Sequence, residues 1–100
     1  MQGMLMPAAR NLKRVQAFFF TSQGGREPVK EWLMDLPRVD RRELGRGLMT
    51  LEFGWPVGMP LTRPMGQGLH ELRIDLAGNR AARVFFMSIF NSIYYCCMLL

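Results

Sequence analysis

The stretch LHELRIDLAGNRAARVFF, residues 69–86, carries three arginines among apolar residues. Arg73 and Arg83 fall inside two runs that alternate as strands do, and Ala77–Asn79 supplies a turn between them. A strand sends alternate side chains to opposite faces, so Leu72, Ile74 and Leu76 share one face with His70, while Glu71, Arg73 and Asp75 share the other. On the second run Ala82, Val84 and Phe86 take one face, and Ala81, Arg83 and Phe85 the opposite one. If the turn has three residues, Leu76 pairs with Arg80 and Arg73 lies opposite Arg83. A one-residue slip would carry Arg83 into the apolar set, so burial selects the first register. Two like charges directly opposite cost about a few tenths of a kcal/mol or more. Such a cost is offset when an anion visits, and a phosphate held between two guanidiniums is the chemistry this pattern suits. The same face also holds Glu71 and Asp75, which could simply neutralise the arginines. From the residues alone both readings stand.

The elements that would position this pair can be read along the chain. VQAFFF, residues 15–20, predicts a first strand, closed by the turn residues of TSQGG. Residues 26–36 predict a helix: Pro28 suits its first turn, and Val29, Trp32, Leu33 and Leu36 form one apolar stripe. A second helix is expected from about Asp40 to Phe53, with Asp40 and Glu43 as a capping-box-like start, a stripe of Leu44, Leu48 and Leu51, and Gly54 just past its end. Gly45 and Gly47 weaken that helix unless they permit close packing, expected against the first helix. Arg41, Arg42 and Arg46 line its outer side as a solvated face or as a surface for an acidic partner or RNA. Residues 54–68 read as a loop in which Pro56, Pro60 and Pro64 forbid a central strand. The arginine-bearing hairpin follows, and a last strand runs from about Ile93 to Leu100. The expected fold is α+β: a small, mainly antiparallel four-stranded sheet, order β-α-α-β-β-β, with two N-terminal helices packed on one face.

Composition narrows the function classes. The chain has 100 residues, 49% hydrophobic and 21% charged, which fits one globular domain rather than a disordered segment. Net charge is +5, and of the 13 basic residues only Lys13 and Lys30 are lysine, so the excess is guanidinium. Arginine suits bidentate recognition of phosphate or carboxylate better than lysine does. The cysteines, Cys96 and Cys97, are adjacent and offer neither a disulfide framework nor a metal spacing, which points to the cytoplasm. One histidine and no carboxylate cluster of ligand spacing leave metal chemistry unsupported. Residues 1–14 hold no apolar core long enough for a signal peptide and are expected to be a loose extension to a single domain at 15–100. The 17 residues after Arg83 carry no charge, but they are broken at Phe90–Ser92 and rich in aromatic and β-branched types, as two buried strands with a turn would be.

Taken together, REPVKEWL, LEFGWPVGMPLTRPMGQGLHELR and RVFF, in this order and spacing, resemble the RelE/HigB-type toxins of bacterial type II toxin–antitoxin pairs, in particular a phage-derived HigB-like subgroup. The resemblance covers about residues 15–100 and implies a RelE/ParE-like fold. It implies a ribosome-dependent mRNA endonuclease (an mRNA interferase) working without a cofactor, held inactive by an antitoxin that carries a helix-turn-helix domain. It implies that Arg73 and Arg83 bind the scissile phosphate, with Arg63 and Arg80 as candidates for neighbouring phosphates and Lys13 or Arg14 as further ones. His70 stands where the family places an apolar or aromatic residue and is read as packing.

Metal-free RNA cleavage sends the 2′-OH in line against phosphorus. It needs donors for a more negative transition state, which arginines supply, and a base, which they do not. The subgroup's last strand runs into a tail of His, Phe and several lysines, and this sequence stops at CCMLL where that tail would begin. Tyr94, Tyr95 and Glu71 are the remaining candidates for proton transfer. Two alternatives accompany the nuclease reading: a weakened or inactive toxin that serves as an antitoxin-binding module, and a ParE-like gyrase-directed toxin on the same scaffold.

Overall fold

The computed structural model describes residues 13–100. Chain order is β1 (Gln16–Phe19), α1 (Pro28–Met34), α2 (Arg38–Gly54), β2 (Thr62–Gly66), β3 (Leu69–Leu76), β4 (Arg80–Ile89) and β5 (Ser92–Leu99). The strands form one sheet in the order β1-β5-β4-β3-β2. Its pairs are antiparallel except β1 with β5, which is parallel. The α+β class and the two helices on one face agree with the sequence.

Among the described residues the sheet has five strands rather than four. Thr62–Gly66 lies in the expected loop, yet it pairs with β3 as the outermost strand. Pro64 is compatible with that place because an edge strand has one side free of the hydrogen-bond ladder. Thr62 anchors the strand, its hydroxyl donating to the Val57 carbonyl.

The core lies between the helices and one sheet face. Val29 of α1 and Leu44 and Leu51 of α2 meet Leu72, Ile74, Leu76, Ala82, Val84, Phe86, Ile93 and Tyr95. Trp32, Leu33 and Leu36 of the first stripe pack at its margin. The apolar parities assigned to β3 and β4 are those buried here.

Three local expectations change. Helix α2 begins at Arg38, behind Pro37, and no side chain caps it. Asp40 instead faces β4. Gly47 is buried and packs on the sheet, not on α1: a Cβ built there would sit 2.6 Å from Ile74 Cγ1. Gly45 has open space beside it, and Gly54 is the last helical residue rather than the one after it.

The β3–β4 turn does have three residues, with Gly78 at φ 75° and Asn79 at φ 58°, the left-handed region both types tolerate best. Of the expected loose segment, residues 1–12 lie outside the described residues. Lys13 and Arg14 are tied to α2: Lys13 Nζ is 3.0 Å from Glu52 Oε1, and the Arg14 amide donates to the Glu52 carbonyl at 2.9 Å.

Candidate nucleic-acid interface

The face of the sheet away from the helices is built by strand parity. Arg73 of β3 pairs with Arg83 of β4 in the register, so both guanidiniums rise from the same face. Their side chains are 51% and 43% exposed. Edge strand β2 adds a third arginine, because Arg63 lies opposite Glu71.

Glu71 is buried, and each of its oxygens approaches a different arginine: Oε1 is 3.3 Å from an Arg63 terminal nitrogen and Oε2 is 3.5 Å from Arg83 Nε. Arg73 Nε is 3.6 Å from Asp75, a carboxylate that is 86% exposed. Three arginines and two carboxylates leave a net charge of +1. With Met59, Pro60 and Leu61 they line a cleft of about 400 Å³. An exposed ion pair like that of Arg73 and Asp75 is worth about 0–1 kcal/mol, so an incoming phosphate can replace the carboxylate.

The arginine cluster continues into an apolar strip. Phe85 and Met87 share the parity of Arg83, and they pair with Cys97 and Tyr94 of β5. A bulge at Phe85/Phe86 makes Cys96 the extra residue and resets the alternation of β5, which turns Leu99 rather than Met98 toward this face, opposite Arg83. Tyr94 stacks on Phe18 of β1, ring centroids 5.4 Å apart.

The deciding comparison concerns this part of the chain. Residues 31–100 match the family described as phage derived protein Gp49-like (DUF891). The chain belongs to that family. No curated protein and no solved structure matches it. The Gp49-like match begins within α1 and runs through β5, so it contains Arg63, Glu71, Arg73, Asp75 and Arg83. The Gp49-like family is associated with the toxins of toxin–antitoxin pairs, and so with an antitoxin partner. The resemblance read from the motifs therefore holds at this level.

The other residues singled out in this Gp49-like chain fall elsewhere. Arg80 has the helix-side parity of β4, and although it shares a cleft with Arg73 and Asp75, its guanidinium is turned to α2. Its terminal nitrogens donate to both oxygens of buried Asp40 at 2.9 Å, and its Nε donates to the Ala77 carbonyl at 2.9 Å. Those hydrogen bonds hold the Asp40 carboxyl below the usual carboxylate range and raise Arg80 further.

His70 packs, stacked on Phe86 at 5.2 Å with the Trp55 edge against it at 5.0 Å, and burial lowers its pKa. Tyr95 is sealed in the core and donates to Glu52 Oε2 at 2.7 Å; burial, then that bond, pushes its phenol far above the ordinary range. It therefore cannot serve the open face as a base. Among the described residues no group of three His, Cys, Asp or Glu side chains could hold a metal ion, and no helix is long and apolar enough to cross a membrane.

Two features of the site were hidden from the sequence. The Arg63–Glu71 pairing needs β2, which reads as loop. The joining of Phe18 and Tyr94 needs the parallel β1–β5 pair, which no local pattern announces.

Proposed function

We propose that this Gp49-like chain is the toxin of a type II toxin–antitoxin pair and cuts mRNA on the ribosome, with Arg73 and Arg83 gripping the scissile phosphate. The observation that supports it most is the direct cross-strand pairing of these two half-exposed arginines on the sheet face away from α1 and α2. Fixed guanidiniums stabilise the charge that builds as the 2′-OH loses its proton and attacks phosphorus while the P–O5′ bond breaks and the 5′-oxygen leaves with a proton, and being permanently protonated they do only that. Arg63 extends the anion-binding edge and holds a neighbouring phosphate. Arg80, committed to Asp40, is left out of the proposed set. Tyr94 is the exposed phenol nearest this strip, and Phe85 offers a ring on which an unstacked base can rest.

The test is cleavage of ribosome-programmed mRNA by wild type and by Arg83→Ala. Cleavage by wild type and a loss of 100-fold or more in the variant is expected, in the range that removal of one preorganised donor costs. Binding of single-stranded RNA should weaken with salt by a log–log slope of about −0.7 per phosphate contact, and Arg83→Ala should flatten it by about one such step. No cleavage by wild type, or a salt-independent affinity, would overturn the proposal.

A second reading is favoured by the carboxylates beside the arginines: an antitoxin-binding module without nuclease activity. Tight antitoxin binding with intact mRNA and normal growth on expression would select it. Growth arrest with DNA damage and intact mRNA would instead select a gyrase-directed toxin.

A further inference from the structure

We propose that Glu71 is a positioning residue, which sets the guanidiniums of Arg63 and Arg83 at a fixed spacing so that their free N–H groups converge on one anion. This rests on the phosphate-binding reading of the open face. The usual account of a carboxylate beside arginines is charge balance, and on this face Asp75 fits that account: it is almost wholly exposed and, among the described residues, pairs with Arg73 alone. Glu71 does not. Only 6% of it is exposed, and burying a carboxylate is costly unless it is well paired. Its neighbours across the ladder are Arg63 on β2 and Phe85 on β4, and its side chain lies between the two arginines.

The two contacts differ from simple neutralisation in how they divide the group. Oε1 goes to Arg63 and Oε2 to Arg83, so one carboxylate spans two strands that are not adjacent in the sheet. The closest approach of Arg83 is through Nε, which leaves its forked terminal nitrogens for a second anion. Both arginines remain about half exposed while the group between them is hidden, the arrangement of a bracket beneath two donors. A long flexible side chain loses rotamer freedom when it binds, and a partner that holds it beforehand removes that cost from the binding step. Glu71→Gln would raise the charge of the cluster from +1 to +2 while releasing the arginines. Affinity and rate should therefore move in opposite directions, which neither a charge-balancing nor a purely structural residue would produce.

The experiment compares the full chain with Glu71→Gln and Glu71→Asp. Side-chain Nε–Hε NMR signals of Arg63, Arg73 and Arg83 are recorded without ligand and with inorganic phosphate, alongside RNA affinity, single-turnover cleavage on ribosomes and thermal denaturation. In wild type the Arg63 and Arg83 signals should be dispersed and should shift with phosphate. In Glu71→Gln they should collapse toward free arginine while Arg73 is unchanged. That variant should bind RNA as tightly as wild type or a few-fold tighter yet cleave at least 10-fold more slowly, and Glu71→Asp should recover part of the rate.

Unchanged arginine signals, or cleavage as fast as wild type, would overturn the proposal. So would a parallel loss of affinity, rate and melting temperature that Glu71→Asp shares. If wild type cleaves nothing, the nuclease reading fails, and the phosphate-dependent arginine signals alone decide the role of Glu71. If Glu71→Gln does not fold, Glu71→Asp tests spacing at unchanged cluster charge: disturbed Arg63 and Arg83 signals with slower cleavage and wild-type melting support the proposal, and wild-type signals and rate overturn it.

Discussion

Asp40 and Arg80 join α2 to β4 through two parallel hydrogen bonds of 2.9 Å each, from the two terminal nitrogens of the arginine to the two oxygens of the carboxylate. The pair fastens the turn end of the β3–β4 hairpin to the helix layer, and Arg80 Nε ties it to the Ala77 carbonyl in the turn. Removing the arginine strands a buried carboxylate, whereas removing both partners leaves no charge behind. Arg80→Ala should lower Tm by about 5–10 °C, and Asp40→Asn with Arg80→Gln together by less than the sum of the singles. The pH dependence follows from the direction of the Asp40 shift. A carboxylate held below its unfolded value adds stability above about pH 4 and loses it as the pH falls through the depressed value. Denaturant melts from pH 6 down to pH 2 should show that acid loss in wild type and a shallower one in the double variant.

Gly45 and Gly47 make a paired test of packing against propensity. Alanine favours a helix interior over glycine by about 1 kcal/mol at either position. At Gly45 nothing stands in the way of a Cβ, so Gly45→Ala should raise stability by about that amount. At Gly47 the new methyl meets the buried Ile74 side chain, and overpacking costs about 1–3 kcal/mol. Gly47→Ala should therefore be the less stable of the two and fall below wild type. Urea denaturation of both variants checks the order.

His70 is held between Phe86 and Trp55, and burial lowers its pKa. A histidine depressed in the folded state stabilises it above the ordinary value of about 6.5 and withdraws that contribution as the pH falls below it. Wild type should lose stability between pH 7 and pH 5. His70→Phe, which keeps the aromatic stack and removes the titration, should be flatter across that window. Urea midpoints at pH 7, 6 and 5 read the difference; equal slopes would remove His70 as the cause.

The arginine pair was legible because its register follows from two short-range rules, alternation along a strand and the length of a Gly-Asn turn. Both rules act over a few residues, and the burial of Leu72, Ile74, Val84 and Phe86 enforces them. Asp40 was misread for a related reason. An acidic residue three before Glu43 looks the same whether it caps its own helix or bonds a residue far along the chain, and Arg80 won the competition. Strand β2 escaped because TRPMG has no alternation and holds a proline. What makes it a strand is the unfilled edge of β3, a property of the finished sheet rather than of the segment. The faces of Cys97 and Leu99 depend on the bulge at Cys96, which becomes visible only when the partner strand is in place.

The place of β5 between β1 and β4 also governs how the protein comes into being. A ribosome makes β1 well before the strand that will hold it. Until β5 emerges, β1 has no ladder to join, β4 shows a raw edge, and Arg83 lacks its cross-strand neighbour Leu99. Contacts that span so much chain form slowly and late. The arginines themselves are set by pairings complete before β5 is made, and the apolar strip beside them is thus the part of the surface that closes last.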